Sequence, residues 1–495
     1  MKSMTKILKA AYFRAEWLRF SRDRANLLVL ALLALLCLGA ALNGLHGVRQ
    51  RAHAQQQATA GTLERLGDMQ RELASLAPDR PLVAQGIDPA SPAKLANGDG
   101  TFRVGLPPAP GAALALGTAG VLPQSIEVST RSRHTQAANQ NLTNPALASS
   151  GGFDLAFVVV VLLPLAAIAL AWRVRAHDQE LGTWRLIAAV PGATRGLFGA
   201  ALLLRLALLC GTPLLAGALA VFGYAGFGVA AWLAWGGFAL LVLLYALLWL
   251  ALAGALNLTP ARSPSLALAL IGLWLLAVFV LPAAIDASAP PLPSRLATIA
   301  ELRALDAASR VDGEALEHAY RASHPDAMPG ELAPQQGDHR IRLFSTQLAF
   351  DMKAAPVVAR VDAAIARENQ RVERLSWLSP ALAVQLALEA ISGSDRGRHQ
   401  DFMAQADAYQ SRWRDYFRPL VLSLRNLRVA DYDGIPRFSY TEPPTTVAPL
   451  ARAATAVAAW LLGALALALA LALRRRHAAR RNAAVRGALL GQSAR

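Results

Sequence analysis

Cysteine is scarce in this chain: Cys37 and Cys210 are the two it has. Both fall within long apolar runs, so no disulfide framework holds the polar segments, and both read as small apolar packers. No glycine is followed by lysine anywhere. That excludes the G-x-x-x-x-G-K-[ST] phosphate loop, which needs backbone amides around a phosphate and a lysine at its end. The chain is therefore not expected to hydrolyse ATP itself. No Ser-His-Asp or Cys-His arrangement stands out, which argues against an anchored hydrolase. The histidines of the two large segments between apolar runs, 47–153 and 286–447, are His53, His134, His318, His324, His339 and His399. The six-residue step from His318 to His324 does not put them on one helical face, and Pro325 follows at once, so no metal site is expected. Acids are nearly missing from both chain ends. Residues 1–24 hold seven basic residues against Glu16 and Asp23, and the tail 474–495 has seven arginines and no acid.

What is abundant is hydrocarbon. The chain has 495 residues, 54% of them hydrophobic, and its mean hydropathy is +0.34. The apolar residues are clustered. Crossing roughly 30 Å of bilayer takes about 20 helical residues, and six runs qualify: 25–46, 154–172, 197–223, 227–253, 264–285 and 448–473. The first is too long for a signal peptide and lacks a small-x-small cleavage site. The net charge of +16 is concentrated at the ends and in the short loops 173–196 and 254–263, where Arg173, Arg175, Arg185, Arg195 and Arg262 lie. This is the positive-inside pattern, not a nucleic-acid footprint. The predicted fold class is thus an all-α polytopic membrane protein with six transmembrane helices. Residues 1–24 form a cytoplasmic elbow and 474–495 a cytoplasmic basic tail. Residues 47–153 and 286–447 form two large, mainly helical periplasmic regions. Within them, Ala52 to Leu76, Leu296 to Ala308, Ile341 to Lys353 and Val357 to Leu375 read as helical and Gln124 to Val128 as a short strand. Prolines crowd the first region (Pro78, Pro81, Pro89, Pro92 and 107–110). Asp154 and Asp286 read as boundary residues at the outer ends of spans.

Two cytoplasmic segments carry the functional expectation. In the elbow, Ile7, Leu8, Ala11, Tyr12, Ala15 and Leu18 approximate one apolar face, with Arg14 and Trp17 off it. A basic helix with such aromatics suits the membrane interface. The loop 173–196 reads RVRAHDQELGTWRLIAAVPGATRG. Its polar backbone cannot face lipid within the bilayer and belongs at one surface. Leu181, Trp184 and Ile187, spaced by three, predict a ridge on a short helix. Asp178 and Glu180 are expected at its start, where acids complement the positive helix end. Such a ridge suits docking into a groove on a partner. Arg205, in the third span, is expected to snorkel to the cytosolic headgroups, because a charge held at mid-bilayer is costly.

The order Glu180-Leu181-Gly182-Thr183-x-x-Leu186, then Val190-Pro191-Gly192, then Arg195, resembles the coupling segment of ABC-2 type transporter permeases. Arg205 is similar to a basic residue near the cytosolic edge of the third span there. The tracts Trp377-Leu378-Ser379-Pro380-Ala381, Ser392-Gly393-Ser394-Asp395, Arg398-His399-x-x-Phe402 and Tyr432-x-x-Ile435-Pro436-Arg437-Phe438 resemble a bacterial subfamily with large uncharacterised periplasmic inserts. The resemblance implies a permease in the bacterial inner membrane, paired with a second copy or a sister permease. It implies a separate ABC ATPase subunit that uses the ATP, no cofactor in this chain, and no nucleic acid. Docking would fall to Asp178, Glu180, Leu181, Gly182, Thr183, Trp184, Arg185, Pro191 and Arg195, with Arg14, Trp17 and Arg205 at the membrane interface. The alternative is mechanical signalling, in which an ATPase moves the external regions and nothing crosses the membrane, or a component that assembles a periplasmic complex without carrying a substrate.

Overall fold

The computed structural model describes residues 2–76, 90–97, 101–117, 122–132, 153–190, 192–259, 263–323, 339–422, 426–443 and 447–493. Pro78, Pro81, Pro89, His134, Pro191, Arg262 and His324 lie outside the described residues. The structure is about 81% helical, with almost no strand.

The chain opens with α1 (Lys2–Arg22). Asp23 then turns the backbone extended and its side chain accepts from Ala25 N, capping α2 (Arg24–Ala74). No proline occurs before Pro78, so nothing removes a hydrogen bond from α2. The helix runs roughly 75 Å at about 1.5 Å per residue, far more than a bilayer's roughly 30 Å. The first apolar run and the helix expected from Ala52 are therefore one rod, a span continued as a stalk. α3 (Pro92–Asn97) follows. β1 (Phe102–Gly105) and β2 (Ser125–Val128) then pair antiparallel, Phe102 opposite Val128 and Gly105 opposite Ser125. Alternation sets their faces: Phe102, Val104, Ile126 and Val128 are buried, Arg103 and Glu127 exposed.

α4 (Leu155–Ala171) is apolar but short, roughly 25 Å long at about 1.5 Å per residue. Asp154 caps it, accepting from Phe157 N at 2.8 Å. Its turn Val158–Leu162 is a π-bulge directly before Pro164. Proline has no N–H for the carbonyl four residues back, here Val160. That carbonyl accepts from the buried Tyr245 hydroxyl at 3.1 Å, and its neighbour Val161 O from Trp274 Nε1 at 3.1 Å. Short helices α5 (Ala176–Glu180) and α6 (Thr183–Ala189) fill the next loop. α7 (Ala193–Ala225), α8 (Val229–Leu256) and α9 (Ser263–Ala287) are long and apolar. α9 repeats the α4 device: a π-bulge at Leu276–Val280 precedes Pro282.

The second insert holds α10 (Arg295–Val311), α11 (Gly313–Ser323) and α12 (His339–Leu375). Pro356 stays inside α12, joining the two stretches read as separate helices. α13 (Pro380–Ile391), α14 (Arg396–Leu422) and α15 (Val429–Asp433) follow, then α16 (Ala448–Ser493), whose apolar part is Ala448–Arg474.

Among the described residues, five helices are long and apolar enough to cross a membrane, within α2, α7, α8, α9 and α16, and α4 falls short of that length. The chain is membrane-embedded. α8 is the pillar of the bundle: Tyr245, Ala246, Leu248, Trp249 and Leu250 are buried on several of its sides, as expected of a helix apolar all round. Free Cys37 and Cys210 are buried in the same bundle.

The apolar helix α13 belongs to this bundle too. Ala381, Val384, Ala387 and Leu388 are buried in the bundle core. Ser379, its N-cap, donates to Ala277 O in the α9 bulge at 2.7 Å. A full Schellman turn ends it: Gly393 N donates to Ala390 O and Ser394 N to Glu389 O, with Gly393 at φ +61°. A second core lies beyond, where the far end of α2 and the strand pair meet α14 through Phe402, Tyr409, Trp413 and Phe417.

Candidate coupling site at the elbow end of the bundle

α1, the loop 173–190, the starts of α2, α7 and α9 and the ends of α4 and α8 meet at one end of the bundle. The inserts lie at the other. Glu16 and Arg205 are the centre of the elbow end. Arg205 is 7% exposed and Glu16 4%, and they pair at 3.5 Å. Arg205 Nε donates to Leu170 O at 2.7 Å and Nη1 to Ala201 O at 2.9 Å, and the guanidinium lies over the Phe20 ring. Leu170 O belongs to the last turn of α4, whose carbonyls lack helical partners and favour a cation. This corrects the expectation for Arg205. It does not snorkel to headgroups, because α1 covers it and supplies the counter-charge inside the protein.

The elbow's inward face differs as well. Glu16 and Phe20 are buried and Tyr12 half-buried, one turn apart each. Gly196 on α7 lets Tyr12 close, since a Cβ there would meet the ring at 2.4 Å. Ala11, Ala15 and Leu18, expected on a common apolar face, are exposed, as are Arg14 and Trp17.

From Glu16 the network reaches the loop. Arg19 contacts Glu16 at 3.4 Å and grips Asp178 with both terminal nitrogens, at 2.6 and 3.3 Å. Hydrogen bonding to Asp178 holds the Arg19 guanidinium above its ordinary value, with burial opposing. Thr183 Oγ1 also donates to Asp178 at 3.2 Å. Arg173 pairs with Asp23 at 2.6 Å. Asn257, at the end of α8, donates to Ala171 O at 3.0 Å and accepts from Arg175 N at 3.3 Å. Arg175 lies 4.5 Å over the Trp184 ring. Glu180 accepts from Ser263 N at 2.9 Å, satisfying an orphan N–H at the start of α9.

The single short helix expected here is two. Gly182, at φ +75°, separates α5 from α6. Glu180 is therefore the last residue of α5, facing α9, rather than the start of the docking helix. The ridge shifts accordingly. Trp184 and Ile187 are half-buried, while Leu181, Leu186 and Val190 are 62%, 74% and 54% exposed. Arg185 and Arg195 lie within α6 and α7. The arrangement is a bracket with an uncovered apolar edge: Asp178 ties it to α1, Arg175 to the end of α8 and Glu180 to the start of α9.

Glu16, Arg19, Asp23, Asn257 and Ser263 were not expected to join this site. A signal existed for two of them, since Glu16 and Asp23 are the acids of an otherwise basic elbow. Among the described residues no group of three or more His, Cys, Asp or Glu is placed to hold a metal ion.

Comparison with curated proteins finds no match. A family model described as Domain of unknown function (DUF3526) matches residues 295–441, the stretch from α10 through α15.

Proposed function

We propose that this chain is the permease subunit of an ATP-driven exporter of the ABC-2 type, in the bacterial inner membrane with both ends in the cytoplasm. In this reading α4 is the second of six spans. The two inserts are periplasmic, and the elbow end faces a separate ATPase subunit, the site of ATP use. Two copies, or this chain and a sister permease, form the transporter.

The observation that carries this reading is the bracket. Three ties fasten α5–α6 to α1, α8 and α9, yet Leu181, Leu186 and Val190 stay uncovered. Exposed apolar side chains on a short, well-anchored element suit docking into a partner's groove. The DUF3526 match adds support, because that domain occurs in ABC-2-associated permease families.

A specific observation also favours the mechanical alternative. α2 is one uninterrupted rod from the elbow end into the insert core, so movement at the elbow reaches the insert without any transported substrate.

The test is reconstitution with a candidate ABC ATPase subunit from the same genome. Leu186→Asp with Val190→Asp is expected to abolish co-purification of the ATPase while the permease inserts normally. Unchanged co-purification and unchanged coupled ATP hydrolysis would sink the docking role. Vesicles that export an amphipathic probe on ATP addition separate transport from signalling.

A further inference from the structure

At the insert end, a cavity of about 170 Å³ lies between the α2 stalk, the strand pair, the turn 106–110 and the turn after α13. One helical face of α2 forms a wall, with Arg51, Ala54, Gln55 and Ala58 at three- and four-residue steps. Arg51 Nη2 is buried and has no hydrogen-bond partner among the described residues. Its Nε donates to Gly47 O at 3.3 Å. Arg103, on the exposed side of β1, also lines the cavity and makes no hydrogen bond or ion pair among the described residues.

The third arginine, Arg398, is committed elsewhere. It grips Glu442 with two nitrogens and donates to Gly393 O at 3.1 Å and Pro107 O at 2.7 Å. It holds the turn after α13 against the proline-rich turn and builds the cavity floor. No lining residue is acidic. Glu127, opposite Arg103 across the strands, accepts from Thr101 Oγ1 at 2.6 Å. Two unpaired cations thus face a cavity without a carboxylate. The remaining wall is largely apolar, with Pro108, Ala112 and Ala115.

A buried guanidinium donor without an acceptor is costly, and its planar fork matches the oxygens of a phosphate. The space is several times what a single water needs, enough for a phosphate and a short ester stub. Arg49, two residues before Arg51, donates to Gly223 O near the end of α7 at 2.9 Å. The cavity therefore stands beside the far end of the apolar helix α7.

We propose that this cavity binds a phosphate oxyanion through Arg51 and Arg103, with the alanine and proline walls against its ester carbons. Occupancy ties the stalk of α2 to the turn that ends α13, and so couples both inserts to the bundle. The inference is independent of whether an ATPase docks at the elbow. The phosphate comes from a lipid headgroup or from solution.

The test uses the purified full chain. Thermal melts with millimolar inorganic phosphate, against chloride at matched ionic strength, probe the soluble source. Native mass spectrometry after reconstitution in phosphatidylglycerol–phosphatidylcholine nanodiscs probes the headgroup source. A phosphate-specific rise in melting temperature, or retained phosphatidylglycerol, is expected. Arg51→Gln should weaken it roughly tenfold, Arg51→Lys should restore part, and Arg103→Gln should weaken it less. Ala54→Trp, which leaves both arginines and blocks the space, should abolish it. That variant also decides the matter if Arg51→Gln fails to fold. A cavity holding only water gives neither signal, and that result, or full binding by Ala54→Trp, overturns the proposal.

Discussion

The two ends of the bundle are held together by different physics. At the insert end α13 is buried by alanine, valine and leucine among α4, α8, α9 and α16, and beyond it α14 closes an aromatic core. At the elbow end the ties are ionic or polar: Glu16–Arg205, Arg19–Asp178, Arg173–Asp23, Asn257–Arg175 and Glu180–Ser263. Apolar packing is dense and resists small displacements. Charge-assisted contacts between helices exchange partners with little change in volume. Under the proposed function, the insert end serves as the fixed frame and the elbow end as the part that moves.

Four experiments break or sharpen that contrast. The largest effect is expected in the frame. Trp413 is fully buried and donates to Ala96 O, so Trp413→Ala should cost about 3–5 kcal/mol, seen as a lower thermal midpoint. A loss below about 1 kcal/mol would mean the insert core is not the frame.

At the elbow, Glu16→Ala strands Arg205 without its counter-charge. Breaking a buried pair costs about 3–5 kcal/mol, whereas replacing both partners by apolar residues is neutral or stabilising. Glu16→Ala should therefore lower the midpoint and Glu16→Met with Arg205→Met should not. Equal losses would show that packing, not charge, holds the elbow.

Gly182→Ala puts a side chain at φ +75° with open space around it. The expected cost is about 1–2 kcal/mol of backbone strain, confined to the bracket. Hydrogen exchange should rise over 176–190 and stay unchanged over α13.

The smallest effect is expected for Glu389 on α13. Burial raises its pKa, with Asp154 and Asp395 adding to the rise and Gln385 opposing it. A carboxyl raised in the folded state carries no penalty below its unfolded value. The penalty grows as pH rises through that value to the folded one, then stays constant. Glu389→Gln should thus melt above the parent at pH 7 and with it near pH 3, well below the ordinary glutamate value. A gap that persists at pH 3 would show that the gain does not come from the carboxylate's charge.

Much of the bundle was legible in the sequence because length and hydropathy are local properties. An apolar run of sufficient length has few alternatives to a span, and polar backbone between two runs must lie at a surface. The strand Ser125–Val128 was legible too, read one residue longer as Gln124 to Val128. Other features were not. The run Pro380–Ile391 is too short to read as a span, and nothing local says that it enters the bundle. Pro356 reads as a helix end, yet α12 continues through it. Arg205 alone suggests an exposed cation, since its partner lies 189 positions away.

The sequence by itself determined that this is a helical membrane-embedded chain, where its apolar lengths lie, that it lacks a phosphate loop, and that one polar loop interrupts its hydrophobic half. Tertiary structure decided which charges pair, which side of the loop stays uncovered, and that α13 completes the core. Hydrophobic burial is non-directional and follows composition along the chain. Ion pairs and wedged helices require groups far apart in sequence to meet at ångström distances, and only the folded packing sets those.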